Sequence, residues 1–191
     1  MDGWRTNSNK FRYQRFDDAH ARSFLEIAAT PEALAWYEKV PSAASKADIF
    51  RLAWLLRNGG VYIDADEERK DCIERLLPPK AGLVLNWSMA ETPCINNWFI
   101  SSRPSHPLMQ VMLKLALENL KFSYEKNLNL SAWLLTGPGP VTMAILDVMC
   151  LDFSYSRLQD LVLHSEVDFR SVSSCRTDLE YKKMPGKNWR L

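Results

Sequence analysis

Ser45-Lys46-Ala47-Asp48-Ile49-Phe50-Arg51, then Leu55-Leu56-Arg57-Asn58-Gly59-Gly60-Val61-Tyr62-Ile63-Asp64-Ala65-Asp66, is the stretch that decides how this chain reads. From about Ser42 to Arg57, Ile49, Phe50, Ala53 and Leu56 recur at helical spacing, and Asn58-Gly59-Gly60 supplies a left-handed stop. Val61-Tyr62-Ile63 follows at once as a short β-rich run ending in the acidic loop Asp64-Ala65-Asp66-Glu67-Glu68. Helix, glycine turn, strand and acidic loop are contiguous. Asp64 and Asp66 sit at strand spacing, so their carboxylates are expected on one side of an extended chain. Two like charges so placed want a cation, and oxygen ligands favour hard Mg²⁺ or Mn²⁺ over zinc, with water and phosphate completing the shell. Asp48 and Arg51, three apart on one helical face among apolar residues, form either a simple intrahelical ion pair or a polar wall at the mouth of that site.

Outward from this centre, a first helix is expected to start at Asp17 or Asp18 and to carry Ala21, Phe24, Leu25 and Ala28 inward. Thr30-Pro31 restarts the chain as N-cap and first helical residue of a short second helix. Downstream, Leu83-Val84-Leu85 and Trp98-Phe99-Ile100 read as buried strands, with helices at about His106–Phe122 and Val141–Met149. Strands alternating with helices imply an α/β domain with a mixed, mostly parallel sheet. With 191 residues the chain suits one domain, 1–191, in which 152–191 is a less regular C-terminal extension holding one large aromatic, Trp189.

Composition removes several classes of function. Lys and Arg number 24 against 23 Asp and Glu, a net +1 that gives no reason to expect nucleic acid as a partner. The four cysteines, Cys72, Cys94, Cys150 and Cys175, show no CxxC pair and read as reduced core thiols. No apolar run of signal-peptide length opens the chain and none approaches the ~18 residues of a membrane span, so a cytoplasmic protein without an integral membrane segment is expected. A secretory lumen is the alternative if an anchor has been trimmed away. His20, His106 and His164 stand beside no nucleophile signature and read as structural, His106 capping a helix and Trp54 filling core. A strand ending in DxD also opens haloacid-dehalogenase-type phosphatases, but Glu68 stands where they need Thr or Val. An EF-hand loop would need Gly where Arg69 stands.

Taken together, the Asp48/Arg51 helix, the Gly-Gly turn and the DxD resemble the sugar-binding region of glycosyltransferase family 32. That family includes capsular polysaccharide and mannosyltransferase-type enzymes and is similar in its core to the clostridial glucosylating toxins. Asn97-Trp98-Phe99-Ile100 with Pro104-Ser105-His106-Pro107 resembles its second block, and Thr136-Gly137-Pro138-Gly139-Pro140 its Thr-Gly-Pro turn. The resemblance implies a Rossmann-like GT-A fold, a UDP- or GDP-sugar donor, a Mn²⁺ or Mg²⁺ cofactor, a saccharide or other hydroxyl acceptor, and retention of anomeric configuration. It assigns Asp48 and Arg51 to the donor sugar, Asp64 to sugar or ribose hydroxyls and to the metal, and Asp66 to the metal. Tyr62, Asn97 and Trp189 would line the donor pocket, and Asp48, Arg51 and Asp66 would carry the reaction. The family's upstream strand has no counterpart here, so the first strand of the fold is expected to be missing, leaving a sheet edge open to self-association. The tail has Lys187-Asn188-Trp189 where the family has His before Ser-Trp. A non-catalytic carbohydrate- or nucleotide-sugar-binding protein with a degenerate GT-A fold is the competing reading.

Overall fold

The computed structural model describes residues 2–4, 11–89, 93–151 and 158–179. Three capped helices come first. Helix α1 (Asp18–Ala28) is capped by the Asp17 carboxylate, which accepts from the His20 N–H, and α2 (Pro31–Lys39) by the Thr30 hydroxyl with Pro31 in its first turn. Helix α3 (Ala43–Asn58) is capped by Ser42 and ends at Gly59, whose φ of 67° and the following φ of 101° at Gly60 turn the chain straight into β1 (Gly60–Ile63). Then follow β2 (Glu67–Arg69), β3 (Leu83–Ser88), β4 (Cys94–Ser102), α4 (Pro107–Glu125), α5 (Ala132–Leu135), α6 (Pro138–Leu151), β5 (Leu161–Ser165), α7 (Glu166–Arg170) and β6 (Ser173–Cys175).

The main sheet has the order β1-β4-β3-β5. Strand β4 runs against its neighbours β1 and β3, and β5 is parallel to β3, so three strands share one direction around a reversed β4. The sheet is mixed, as the sequence implies, but it is not mostly parallel: among the described strands two of its three pairings are antiparallel, because β4 returns between β1 and β3. Alternating side chains divide it between two cores: Leu83 and Leu85 face α1 to α4 and α6, whereas Val84 packs with Ile73, Leu76, Phe99, Phe169 and Val172 on the opposite face. Among the described residues no strand precedes β1, which forms one edge of the sheet.

Three further expectations change. Residues 158–179, expected within a less regular extension, supply β5 to the main sheet and β6 as the partner of β2. Ala132–Cys150 is long and apolar enough by length and composition to cross a membrane, with a mean hydropathy of 1.3, because an average tolerates isolated polar residues that a continuous run does not. Half of that stretch is buried inside the domain, where Val141, Ala144, Ile145 and Val148 of α6 fill core. The four cysteines are free, but Cys150 and Cys175 are exposed and Cys72 and Cys94 only partly buried, so they are not core thiols.

Gly59 is where the fold is least tolerant of a side chain. A Cβ there would lie 2.6 Å from Pro104 Cδ and 2.8 Å from both Pro104 N and Ser102 O, in a backbone conformation that L residues avoid. Gly59→Ala is expected to lower unfolding free energy by at least ~2 kcal/mol, measured by urea denaturation. A loss below about 0.5 kcal/mol would show that the helix-to-strand turn relaxes freely.

Candidate functional site

Arg51 is the hub. Its guanidinium is buried, with only 5% of the side chain exposed, and its Nη2 lies 3.2 Å from Asp48 Oδ1 and 3.1 Å from Asp64 Oδ1. Nη1 donates to the Asn97 carbonyl at 2.6 Å, and the guanidinium stacks 4.3 Å from the Tyr62 ring centroid. A planar fork with five donors can serve helix α3, the end of β1 and strand β4 at once, which an ammonium cannot. Burial alone would lower the Arg51 pKa, but Asp64, Tyr62, Asp48 and Asp66 outweigh it and the net shift is upward.

Asp48 is the second anchor. Its Oδ1 accepts from Asn97 Nδ2 at 2.7 Å and its Oδ2 from Thr136 Oγ1 at 2.8 Å. Burial raises its pKa, opposed by Arg51, Thr136 and Asn97. Asp48 and Arg51 pair within the helix, and Arg51 is also tied to Asp64. Thr136, quoted in the Thr-Gly-Pro turn but given no role from sequence, carries the turn before α6 onto Asp48.

The DxD itself departs from the extended geometry expected of it. Asp64 N–H donates to Trp98 O at 2.9 Å as the last link to β4, and Ala65 and Asp66 then turn, with Glu67 N–H donating to Asp64 O at 3.0 Å. A turn removes the two-residue alternation, so the two carboxylates reach different neighbours. Asp64 Oδ1 accepts from Tyr62 OH at 3.0 Å and meets Arg51, whereas Asp66 Oδ2 lies 3.8 Å from Cys175 Sγ. They still feel each other. The Asp64 pKa is pushed up to about 6, first by burial, with Arg51 opposing and Asp66 adding to the rise. Asp64 retains 32% side-chain exposure, so Asp64 and Asp66 are the residues of the DxD that could offer oxygen ligands to a divalent cation.

The acidic loop is clamped from beyond α6. Strand β6 pairs antiparallel with β2, placing Cys175 opposite Glu67, and Arg176 N–H donates to Asp66 O at 2.8 Å. Glu67 is buried, and both its oxygens accept from Arg170 Nη1 at 2.9 Å, with Ser173 Oγ as a further donor. Arg170 in turn stacks 4.5 Å from the Trp98 ring centroid. Of the residues singled out from sequence, Asp48, Arg51, Tyr62, Asp64 and Asn97 form one network, Asp66 borders it, and Trp189 lies outside the described residues. The histidines take structural places: His106 Nδ1 accepts from the Leu108 N–H as the cap of α4, and His164 bonds Leu76 O.

The raised Asp64 pKa has a measurable sign. A folded-state value above the unfolded one contributes stability that is complete below about pH 4 and is lost as pH rises through about 6. With chelator present, wild-type stability minus that of Asp64→Asn is expected to fall between about pH 4 and pH 6. The slope should be only part of the ~1.4 kcal/mol per pH unit that full linkage allows, because the group is partly solvated. Buried His106, whose pKa burial lowers, cancels in this difference. A difference that is flat with pH would remove Asp64 from the buried network.

Residues 1–82 match the family described as the glycosyltransferase sugar-binding region containing a DXD motif. A Saccharomyces cerevisiae protein named as a glycosyltransferase is 28% identical over 134 residues, covering 57% of this chain and 33% of that protein. The initiation-specific alpha-1,6-mannosyltransferase of Schizosaccharomyces pombe is 27% identical over 173 residues, covering 76% and 43%. An uncharacterized glycosyltransferase of Acanthamoeba polyphaga mimivirus is 31% identical over 106 residues, covering 54% and 41%. The chain thus spans between a third and about two fifths of the length of these relatives. Among solved structures, the PaToxG glycosyltransferase superposes with a TM-score of 0.55 at 25% identity, over 71% of this chain and 48% of that one. The ligand-free glycosyltransferase domain of the YGT toxin gives 0.54 at 13% identity, over 82% and 52%, a likeness of fold. Over residues 1–82 the chain is thus similar to the glycosyltransferase sugar-binding region containing a DXD motif, and its mixed α/β architecture is similar to that of glycosyltransferase domains of GT-A-like fold.

Proposed function

We propose that the chain is a metal-dependent glycosyltransferase that moves a hexosyl group from a nucleotide-diphosphate sugar to a saccharide or other hydroxyl acceptor with retention. The observation that carries this reading is the Arg51 network, which fixes Asp64 at the end of β1 with Asp66 a turn away. In it Asp48, Arg51 and Asn97 set the floor of the donor site, and Tyr62 and Asp64 hold sugar or ribose hydroxyls. Asp64 and Asp66 would hold the cation. A bound Mn²⁺ or Mg²⁺ supplies Lewis-acid stabilisation of the departing diphosphate. Arg51 adds fixed positive potential without any reorganisation at the moment of reaction. No side chain is assigned as a base, because in a retaining route the departing phosphate can take the acceptor proton.

Calorimetry of Mn²⁺ binding with and without UDP and GDP tests the reading, since the diphosphate would complete a shell that two carboxylates leave open. Metal affinity is expected to rise at least tenfold with the correct nucleotide; equal affinity in both states overturns the metal-bridged donor. A panel of nucleotide sugars, headed by a mannosyl donor because one relative is named a mannosyltransferase, then separates the two functions. Binding with neither transfer nor hydrolysis would favour the degenerate binding protein.

A further inference from the structure

We propose that Asn86, Asn96 and Glu166 form the acceptor subsite, a polar strip that takes neighbouring hydroxyls of a pyranose on the face of the sheet opposite Arg51. The inference rests on the transferase reading and deepens it. An orphaned amide carries it: Asn86 is fully buried in β3, and its Nδ2 is the buried side-chain polar atom left without a hydrogen-bond partner among the described residues. A buried donor with no acceptor keeps the full cost of its lost hydration, which a ligand hydroxyl would offset. Successive β4 side chains alternate, so while Asn97 reaches Asp48, Asn96 projects from the other face, and its Nδ2 donates to Asn86 Oδ1 at 2.9 Å. Cys94 and Trp98 share the Asn96 face. Glu166 of α7 stands beside it: burial and then the Glu166 charge raise the Cys94 pKa, and Glu166 Oε1 accepts at 3.2 Å from Nη2 of Arg170, which stacks on the Trp98 ring. The strip lies at the end of the sheet that carries the DxD. Trp98 O accepts from Asp64 N–H, and Asn96 lies two residues farther along β4, about 7 Å past the end of β1. That is about one sugar ring, so a saccharide held at Asn96 presents a further hydroxyl beside Asp64. Amide donors and a carboxylate acceptor match hydroxyls, which both donate and accept. Arg170 balances the Glu166 charge, so a neutral sugar is favoured over a phosphate. Asn96 is partly exposed and is the side chain bonded to Asn86, so it is the group that turns aside when a hydroxyl takes the orphaned donor.

Saturation-transfer NMR with methyl glucoside, galactoside and mannoside on the full chain, with Mn²⁺ and either UDP or GDP present, reads the subsite without requiring turnover. At least one pyranoside is expected to bind wild type, and Asn86→Leu should weaken it at least ~10-fold, about one lost hydrogen bond to a buried donor. The same substitution should leave Tm unchanged or raise it, because a branched apolar side chain replaces an unpartnered amide. A fall in Tm would mark Asn86 as structural and overturn it as the ligand's donor. Glu166→Ala, at a side chain 35% exposed, probes the strip without touching the core and should weaken the sugar by a similar factor. Saccharide affinity unchanged in both variants, or no pyranoside bound to wild type, overturns the subsite, while nucleotide and Mn²⁺ binding would still support the transferase reading. A pyranoside that binds through Asn86 when neither nucleotide binds supports the subsite and overturns the transferase reading.

Discussion

Arg51→Ala is expected to destabilise the domain by ~3–5 kcal/mol, because it leaves two carboxylates around a buried space with no cation between them. Asp48 is nearly inaccessible and Asp64 only a third exposed, so water cannot readily replace the guanidinium. In a domain of this size the loss corresponds to a fall in Tm of roughly 6–20 °C. Arg51→Lys should recover only part, since one ammonium cannot span Asp48, Asp64 and the Asn97 carbonyl together. The penalty also has a pH signature. Orphaned carboxylates prefer to be protonated, so the deficit of Arg51→Ala should be smaller at pH 5 than at pH 8. Adding Asp48→Asn to Arg51→Ala should return part of the lost stability, because it removes one unpaired charge while keeping its hydrogen-bond shape. Denaturant midpoints at the two pH values provide the check. A loss under about 1 kcal/mol, or one independent of pH, would show that Arg51 is not the electrostatic centre of the site.

The parts of this architecture that depend on neighbours in sequence could be read from it. Asp17, Thr30, Ser42 and Gly59 each bracket a helix with chemistry that acts within a turn, and the structure places a cap or stop at every one. The pairing of Asp48 with Arg51 and their delivery beside β1 follow from helical spacing and a two-glycine turn for the same reason. What was hidden depends on distant partners. Strand β2 is the triplet Glu67-Glu68-Arg69, which no hydrophobic pattern marks, and Glu67 is buried only because Arg170 neutralises it from 103 residues away. Strand β5 begins Leu161-Val162-Leu163, an apolar run too short to distinguish strand from helix until β3 stands beside it. Thr136 was visible as part of a turn, but its role lies in a bond to Asp48, 88 residues earlier. The expected alternation fails at Asp66 because the strand ends at Ile63, three residues earlier, and Ala65-Asp66 turn.

Asp66→Asn separates function from fold most sharply. The amide has the size and shape of the carboxylate, and the bond from Arg176 N–H to Asp66 O belongs to the backbone and survives the change. Removing one of two neighbouring negative charges also relieves Asp64, whose pKa Asp66 helps to raise, so stability should stay within about 0.5 kcal/mol or increase slightly. Transfer should behave differently. Loss of even an indirect supporting group costs a metal site ~10–100-fold, so loss of an anionic ligand should lower kcat/KM by at least ~100-fold at limiting Mn²⁺. Because the defect lies in holding the ion, higher Mn²⁺ should restore part of the activity, and the Asp64 pKa should fall towards the ordinary carboxylate range. The contrast with Arg51→Ala carries the argument: one substitution breaks the frame and thereby the site, the other spares the frame. Activity of Asp66→Asn within a few-fold of wild type, at any Mn²⁺ concentration tested, would remove Asp66 from the mechanism while leaving the Arg51 network untouched.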